Sequence, residues 1–283
     1  MTKFFKSLAF IVLATGICSA QDKMPYKIFT SGGKPSDYSK MIAAAAKYDV
    51  ILFGEEHNNS IVHWLELELA KDLAEKRAIT IGLEMIETDN QQQLDQYLNG
   101  EVAQKQFDTI ARLWPNYKTD YKPIVDYAKN AGIKVVATNV PRRYASMVYK
   151  GGFEALTQLD SADFKWIAPL PVNYDPTLPG YKKIVEEMGG HGGENLPKAQ
   201  ALKDATMAHS ILQNLSNSLF IHYNGTYHSD NFEGIFWYLK NARPKLKVMT
   251  IATVSQKDLT LSKKDHHKAD FIIVTDEDVT KTY

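Results

Sequence analysis

The chain has 283 residues, and 44% of them are hydrophobic, which is enough to fill the core of one large domain or of one domain with insertions. The 33 lysine and arginine residues equal the 33 aspartate and glutamate residues, so the formal net charge at pH 7 is zero. Because a balanced charge exerts no general attraction on polyanions, the composition predicts no nucleic-acid partner.

Residues 1–20 have the pattern of a secretory signal peptide. Lys3 and Lys6 precede an apolar run at 7–17 that is too short to span a bilayer as a mature helix. Small residues follow, so we expect cleavage after Ala20 and an exported protein that is periplasmic or associated with the outer membrane. A lipid anchor at Cys18 is the less favoured alternative, because the residue before it is not small.

Cysteine usage limits the chemistry of the mature chain. Cys18 is the only cysteine, so cleavage after Ala20 leaves none. This excludes disulfides and thiolate ligands. Any metal or haem must then be held by histidine, tyrosine, methionine or carboxylate side chains.

Buried strands are indicated by short apolar runs bounded by turn signals. Six such runs occur, at 49–53, 79–83, 133–137, 219–223, 248–254 and 271–275. Helical patterns lie between them, such as the apolar face of Ile61, Leu65, Leu69 and Leu73. This alternation predicts an α/β fold with a mostly parallel sheet flanked by helices on both faces.

Two long stretches interrupt the alternation. Residues 90–118 are helix-like and rich in glutamine, and residues 142–213 contain no convincing strand. We interpret both as helical insertions that form a smaller cap near the carboxyl edge of the sheet. Residues 21–283 are therefore expected to form a single domain.

Polar side chains follow three of the predicted strands. Gly54-Glu55-Glu56-His57 follows the first, Glu84 ends the second, and Tyr227-His228 follows the fourth. One such residue after a strand is usually a helix cap or a solvated loop residue. If the three strands are neighbours, however, two carboxylates and two imidazoles converge beyond their carboxyl ends, where parallel sheets place their sites.

Two further features lie in or near the insertions. His191 is flanked by four glycines, so it belongs either to a lid that delivers an imidazole to a ligand or to a flexible surface loop. Arg142 and Arg143 follow the third strand. Their paired charge could hold a carboxylate or a propionate, or could pair with Glu55 or Glu84.

The ordered set of these motifs resembles the ChaN-like haem-binding uptake family, part of the Tiki/TraB and erythromycin-esterase-like superfamily. The matching segments cover nearly all of the mature chain and are Val50–His57, Gly82–Met85, Tyr121–Thr138, Asn139–Arg142, Ala199–Ala208 and Asn224–His228. The resemblance implies a parallel sheet with a smaller helical part, in an exported protein of haem or iron uptake. It also implies haem bound through tyrosine or histidine, a homodimer that shares the haem, and an outer-membrane haem receptor as partner. The chain departs from many relatives at Tyr227, where they have glycine.

Haem binding is the function that this resemblance favours. Tyr227, His228 and His191 are the candidate axial ligands, because anionic tyrosine and neutral histidine both ligate haem iron. Arg142 and Arg143 are the candidates for holding the propionates.

A metal-dependent hydrolase, protease- or esterase-like, is the alternative. Glu55, His57, Glu84 and His228 have the ligand types for a divalent metal ion. Catalytic roles for Glu55, His57 and Glu84, such as a general base toward water, belong only to this alternative. A non-catalytic binding module that keeps these residues as structural pairs is a third possibility.

Overall fold

The computed structural model describes residues 23–187 and 193–283. The predicted signal peptide and His191 lie outside the described residues. Among the helices that are described, none is both long enough and apolar enough to cross a membrane.

The centre of the fold is an eight-stranded sheet. Its strands are β1 (Tyr26–Thr30), β2 (Pro35–Ser36), β3 (Val50–Glu55), β4 (Ile79–Glu87), β5 (Lys134–Asn139), β6 (Leu219–Gly225), β7 (Val248–Gln256) and β8 (Phe271–Asp276). The spatial order is β2-β1-β8-β7-β3-β6-β4-β5. β1 runs antiparallel to β2 and β8, and the strands from β8 to β5 are parallel. All six predicted strands are present, whereas β1 and β2 were not predicted.

Nine α-helices lie among the described residues. They are α1 (Tyr38–Ala45), α2 (Ser60–Ala74), α3 (Gln91–Leu98), α4 (Gln104–Ile110), α5 (Lys122–Ala131), α6 (Arg142–Gly151), α7 (Pro179–Glu187), α8 (Asn195–Gln213) and α9 (Ile235–Ala242). α2 begins directly after the β3 turn because the Asn59 side chain accepts hydrogen bonds from the amides of Ile61 and Val62.

Both faces of the sheet are covered. Side chains alternate along a strand, so Ile51 and Phe53 point to the face that packs against α2 and α5, while Val50 and Leu52 point to the face beneath α8 and α9. A smaller apolar cluster lies between α6 and the amino-terminal half of α8. The predicted α/β class is confirmed. The end of the 142–213 segment, α8, covers the sheet itself, and the described part of that segment contains no strand.

The order of the central strands positions the polar groups that follow them. β6 lies between β3 and β4, so the three strands that carry Glu55, Glu84 and Tyr227-His228 are neighbours. The register pairs Glu55 with Gly225 and Leu83 with Tyr223. Their carboxyl ends therefore meet at one place on the edge of the sheet.

Candidate functional site

The polar residues at this edge form two buried clusters on opposite faces of the sheet. Glu55 shares a strand face with Ile51 and Phe53, so it points toward α2. Glu84 has the opposite orientation to Leu83, so it points toward α8. The four residues that the sequence grouped as one metal set are thus divided between two environments.

Glu55 is the centre of the first cluster. Its Oε1 atom accepts a hydrogen bond from the Tyr121 hydroxyl at 2.6 Å and lies 2.5 Å from Nδ1 of His57. The convergence of Glu55 and His57 follows from their spacing, since alternate residues of an extended turn point the same way. The Glu55 carboxylate thus orients the imidazole of His57.

The same cluster contains a histidine and a glutamate from α2. Nδ1 of His63 lies 2.9 Å from Oε2 of Glu66 and 3.7 Å from Oε2 of Glu55. Nε2 of His63 lies 3.0 Å from the carbonyl oxygen of His57 and 3.5 Å from Oδ2 of Asp120. All these side chains are buried except that of His57.

Burial dominates the ionisation of this first cluster. It raises the pKa of Glu55 to about 8, with a further contribution from the charge of Glu66, and it raises the pKa of Glu66 to about 8. Burial lowers the pKa of His57, but the hydrogen bond and the charge of Glu55 outweigh it and raise the pKa overall. Glu55, His57 and Glu66 therefore titrate as a coupled group, in which the charge of one residue changes the pKa of another.

The second cluster holds His228 between two carboxylates. Nδ1 of His228 lies 2.6 Å from Oδ1 of Asp204, and its Nε2 lies 3.2 Å from Oε1 of Glu84. Glu84 also accepts the amide of Gly225 at 2.7 Å, and Asp204 accepts the hydroxyl of Tyr181 at 2.9 Å. Both nitrogens of the His228 ring are therefore engaged.

His228 is held as an imidazolium. Burial by itself lowers its pKa, but the carboxylates of Glu84 and Asp204 outweigh this and raise the pKa to about 10. Burial raises the pKa of Glu84, yet the positive charge of His228 brings it well below its ordinary value. The pKa of Asp204 is raised by burial, which the His228 charge offsets only in part.

His57 lies at the edge of the sheet, where the two clusters meet. A side chain added to Gly225 would begin 2.7 Å from Nε2 of His57 and 3.7 Å from Oε2 of Glu84. A side chain at position 225 would therefore force the imidazole of His57 to shift. The His57 side chain keeps 33% of its surface exposed and contacts the edge of the Trp114 ring system, with ring centroids 5.0 Å apart.

Tyr227 is the exposed member of the edge residues. It lies in a short 3-10 helix, Thr226–His228, and its side chain is 53% exposed. It lines a cleft of about 270 Å³ together with the side chains of Lys183, Asp230 and Lys264. The Nζ atom of Lys183 lies 5.8 Å from the centre of the tyrosine ring.

The arginines lie in a different cleft. Arg142 and Arg143 line a cavity of about 610 Å³ with Arg112 and Trp114, and this cavity shares no lining residue with the Tyr227 cleft. Arg143 pairs with Asp89 rather than with Glu55 or Glu84. The structure therefore does not place the arginine pair beside Tyr227.

Six residues of the two clusters were not singled out by the sequence pattern. They are His63, Glu66, Asp120, Tyr121, Tyr181 and Asp204. Only His63 and Glu66 carry a local signal, because residues three apart on a helix share a face. The others come from distant segments, and only the tertiary structure brings them to the site.

The fold and the site define an α/β protein with buried carboxylate–imidazole clusters at the carboxyl edge of a mostly parallel sheet. The chain belongs to the haem-binding uptake family of the Tiki superfamily, ChaN, whose model matches residues 41–239. This confirms the family suggested by the sequence motifs.

A solved structure with a TM-score well above 0.5 agrees with this fold. The structure showing cofacial haem binding to ChaN of Campylobacter jejuni has a TM-score of 0.68 at 18% identity, and the match covers 88% of this chain and 96% of that chain. An erythromycin esterase mutant in its open conformation matches with a TM-score of 0.47 at 11% identity, and the match covers 89% of this chain and 83% of that chain.

One curated relative also matches. The chloroplastic protein RETICULATA-RELATED 5 of Arabidopsis thaliana is 26% identical over 100 residues, which are 33% of this chain and 14% of that protein. The chain thus spans only a small part of that relative.

Proposed function

We propose that this chain binds ferric haem at the carboxyl edge of its sheet, with Tyr227 as the axial ligand, and that it acts in haem or iron uptake. The observation that carries the proposal is the match of residues 41–239 to the haem-binding uptake family. The haem-binding description of the similar Campylobacter jejuni protein supports it. Tyrosine favours ferric haem because its phenolate is an anionic ligand.

Tyr227 suits this role better than its neighbour. An axial ligand needs a lone pair that faces solvent or the haem cavity, and both ring nitrogens of His228 are occupied by Asp204 and Glu84. Ligation by His228 would break a buried ion pair, which typically costs about 3–5 kcal/mol. Tyr227 is 53% exposed, so a haem can reach its side chain from solvent.

Both lysines and carboxylates line the cleft around Tyr227. Lys183 and Lys264 line the same cleft and can pair with propionates. The cleft volume of about 270 Å³ is smaller than a porphyrin, so a bound haem keeps part of its surface outside the chain. A second copy that covers this surface would form the homodimer implied by the family resemblance, and Arg142 and Arg143 could then serve the propionates of a shared haem.

Hemin titration of the purified protein tests the assignment. We expect a Soret band that saturates with wild-type protein and that is lost or shifted in Tyr227→Phe. Tyr48→Phe is the matched control, because Tyr48 is partly exposed and directly precedes Asp49 at the amino edge of the sheet. Unchanged hemin spectra in Tyr227→Phe would exclude Tyr227 as the ligand. Light scattering with and without hemin tests the shared dimer separately.

Hydrolysis remains the second candidate, because Glu55 orients a partly exposed imidazole. A carboxylate bonded to Nδ1 of a histidine leaves Nε2 as the position from which the ring can act on water. This candidate predicts turnover of an ester or peptide that His57→Gln abolishes. Absence of turnover across ester and peptide panels would eliminate it, without bearing on hemin binding.

Export to the periplasm or the outer membrane is part of the same proposal. Its support is the signal-peptide pattern of residues 1–20. Mass spectrometry of the protein from fractionated cells distinguishes the two processing routes. A soluble mature chain that begins at Gln21 supports cleavage after Ala20, whereas an acylated Cys18 at the amino terminus supports the lipid anchor.

A further inference from the structure

We propose that Glu55, His63 and Glu66 bind one divalent transition-metal ion, of which Zn²⁺ is the representative, in the interior of the domain between β3 and α2. This site is distinct from Tyr227, and the inference does not depend on haem binding. It shares only Glu55 with the metal set expected from the sequence.

The three ligand atoms already surround one point. One ligand atom from each residue lies within 4.8 Å of the others, and Nδ1 of His63 is 2.9 Å from Oε2 of Glu66 and 3.7 Å from Oε2 of Glu55. Nitrogen and oxygen ligands about 2.0–2.1 Å from a tetrahedral Zn²⁺ are roughly 3.3–3.4 Å apart. The observed separations bracket this value, so small side-chain adjustments suffice.

Two buried carboxylate oxygens of this cluster have no hydrogen-bond partner, and the one from Glu55 lies 3.7 Å from Nδ1 of His63. Oε2 of Glu55 and Oε1 of Glu66 have no hydrogen-bond partner, and both side chains are fully buried. The other oxygen of Glu55 is already served by Tyr121 and His57. Buried carboxylate oxygens are costly unless they are paired or coordinate a metal, and an ion coordinated by the two carboxylates would offset that cost.

The surroundings of His63 fit a metal-ligating imidazole. Such a ring usually donates its other N–H to a backbone carbonyl or a carboxylate, which fixes the tautomer. Nε2 of His63 is placed to donate to the carbonyl of His57 at 3.0 Å, with Asp120 at 3.5 Å. In this tautomer the lone pair of Nδ1 points at the oxygens of Glu66 and Glu55, an arrangement that a cation stabilises.

The charges balance with a divalent ion. Two ionised carboxylates, one neutral imidazole and one divalent cation give a neutral buried group, which avoids the cost of isolated charges in the interior. Without the cation, the raised pKa values of Glu55 and Glu66 imply that the carboxyl pair retains a proton. A retained proton is therefore the competing state that an experiment must exclude.

Metal titration of the full mature chain tests the site in the absence of hemin. After dialysis against a chelator, Zn²⁺ is added and followed by calorimetry, with Co²⁺ absorption as a spectroscopic probe of coordination. We expect about one ion per chain and a rise in the melting temperature on metal addition, since a ligand that binds only the folded state stabilises it.

Two substitutions locate the ion. His63→Gln and Glu66→Gln should each weaken Zn²⁺ binding at least tenfold and alter the Co²⁺ spectrum. Glu68→Gln is the matched control on the same helix, because Glu68 is partly exposed and pairs with Lys71; it should bind like the wild type. His57→Gln should retain the ion, which separates this site from one built on the edge residues.

Two results would overturn the inference. One is a wild-type chain that takes up no Zn²⁺ at stoichiometric concentrations and shows no thermal shift. This result would mean that the carboxyl pair holds a proton instead of an ion. The other is binding that persists unchanged in both His63→Gln and Glu66→Gln, which places the ion elsewhere. The wild-type titration decides the matter even if a variant fails to fold.

Discussion

Replacement of His228 by glutamine should destabilise the protein in a pH-dependent way. In the wild type the imidazolium neutralises two buried carboxylates, those of Glu84 and Asp204. Removing one partner of a buried ion pair typically costs about 3–5 kcal/mol, because the remaining charge is left uncompensated. A pKa raised from 6.5 to about 10 corresponds to a similar magnitude, roughly 5 kcal/mol at about 1.4 kcal/mol per unit.

The sign of the pH dependence follows from the direction of the shift. The pKa of His228 is higher in the folded state, so its stabilisation is fully present below pH 6.5 and is lost as the pH rises through about 10. The lowered pKa of Glu84 affects stability at acidic pH, where its contribution is lost as the pH falls below the ordinary carboxyl range. The difference in unfolding free energy between wild type and His228→Gln should therefore shrink between pH 6.5 and 10.

Urea denaturation followed by circular dichroism at pH 6, 8 and 10 measures this difference. Subtracting the unfolding free energies of the two proteins at each pH removes the contribution of other groups that titrate in this range, such as Glu55 and Glu66. His209→Gln is the matched control, because burial lowers the pKa of His209 and no carboxylate contributes to that shift. A penalty for His228→Gln that stays constant from pH 6 to pH 10 would refute the imidazolium assignment.

Two further substitutions test the packing of the site. Gly225→Ala would place a methyl carbon 2.7 Å from Nε2 of His57, so we expect a loss of about 1–3 kcal/mol in urea unfolding; an unchanged midpoint would show that the imidazole can move aside freely. Tyr121→Phe removes the hydroxyl that donates to Glu55 at 2.6 Å, and we expect a loss of about 1–3 kcal/mol. Tyr127→Phe, a partly buried tyrosine of the next helix, is its control, and equal losses in the two variants would contradict a specific role for the hydroxyl.

Local patterns predicted the central strands well. The run at 49–53 and its five counterparts are apolar because these strands are buried on both faces, and such runs are recognisable without tertiary information. β1 and β2 were missed for the opposite reason. β1 is short and only partly buried, and β2 has two residues, so neither produces a continuous apolar run.

The candidate site was predicted in position but not in composition. Glu55, His57 and Glu84 were singled out because they follow strands, and the strands proved to be neighbours. Asp204 could not have been found in this way, since it lies in the middle of a helix and meets His228 only across the fold. His63 and Glu66 share a face of α2, but the pair alone did not mark a site, because its other partners Glu55 and Asp120 come from other elements.

The Gly54–His57 turn illustrates what the sequence alone determined. Alternation of apolar strands and amphipathic helices implies a parallel sheet, and such a sheet places its polar strand ends at one edge. Which face each polar side chain occupies was decided by the tertiary structure. The strand order β3-β6-β4 and the packing of α2 and α8 on opposite faces separate Glu55 from Glu84. Long connections join the parallel strands, so the local sequence pattern does not specify the strand order. The partners of a buried charge are therefore determined only by how the helices pack on the sheet.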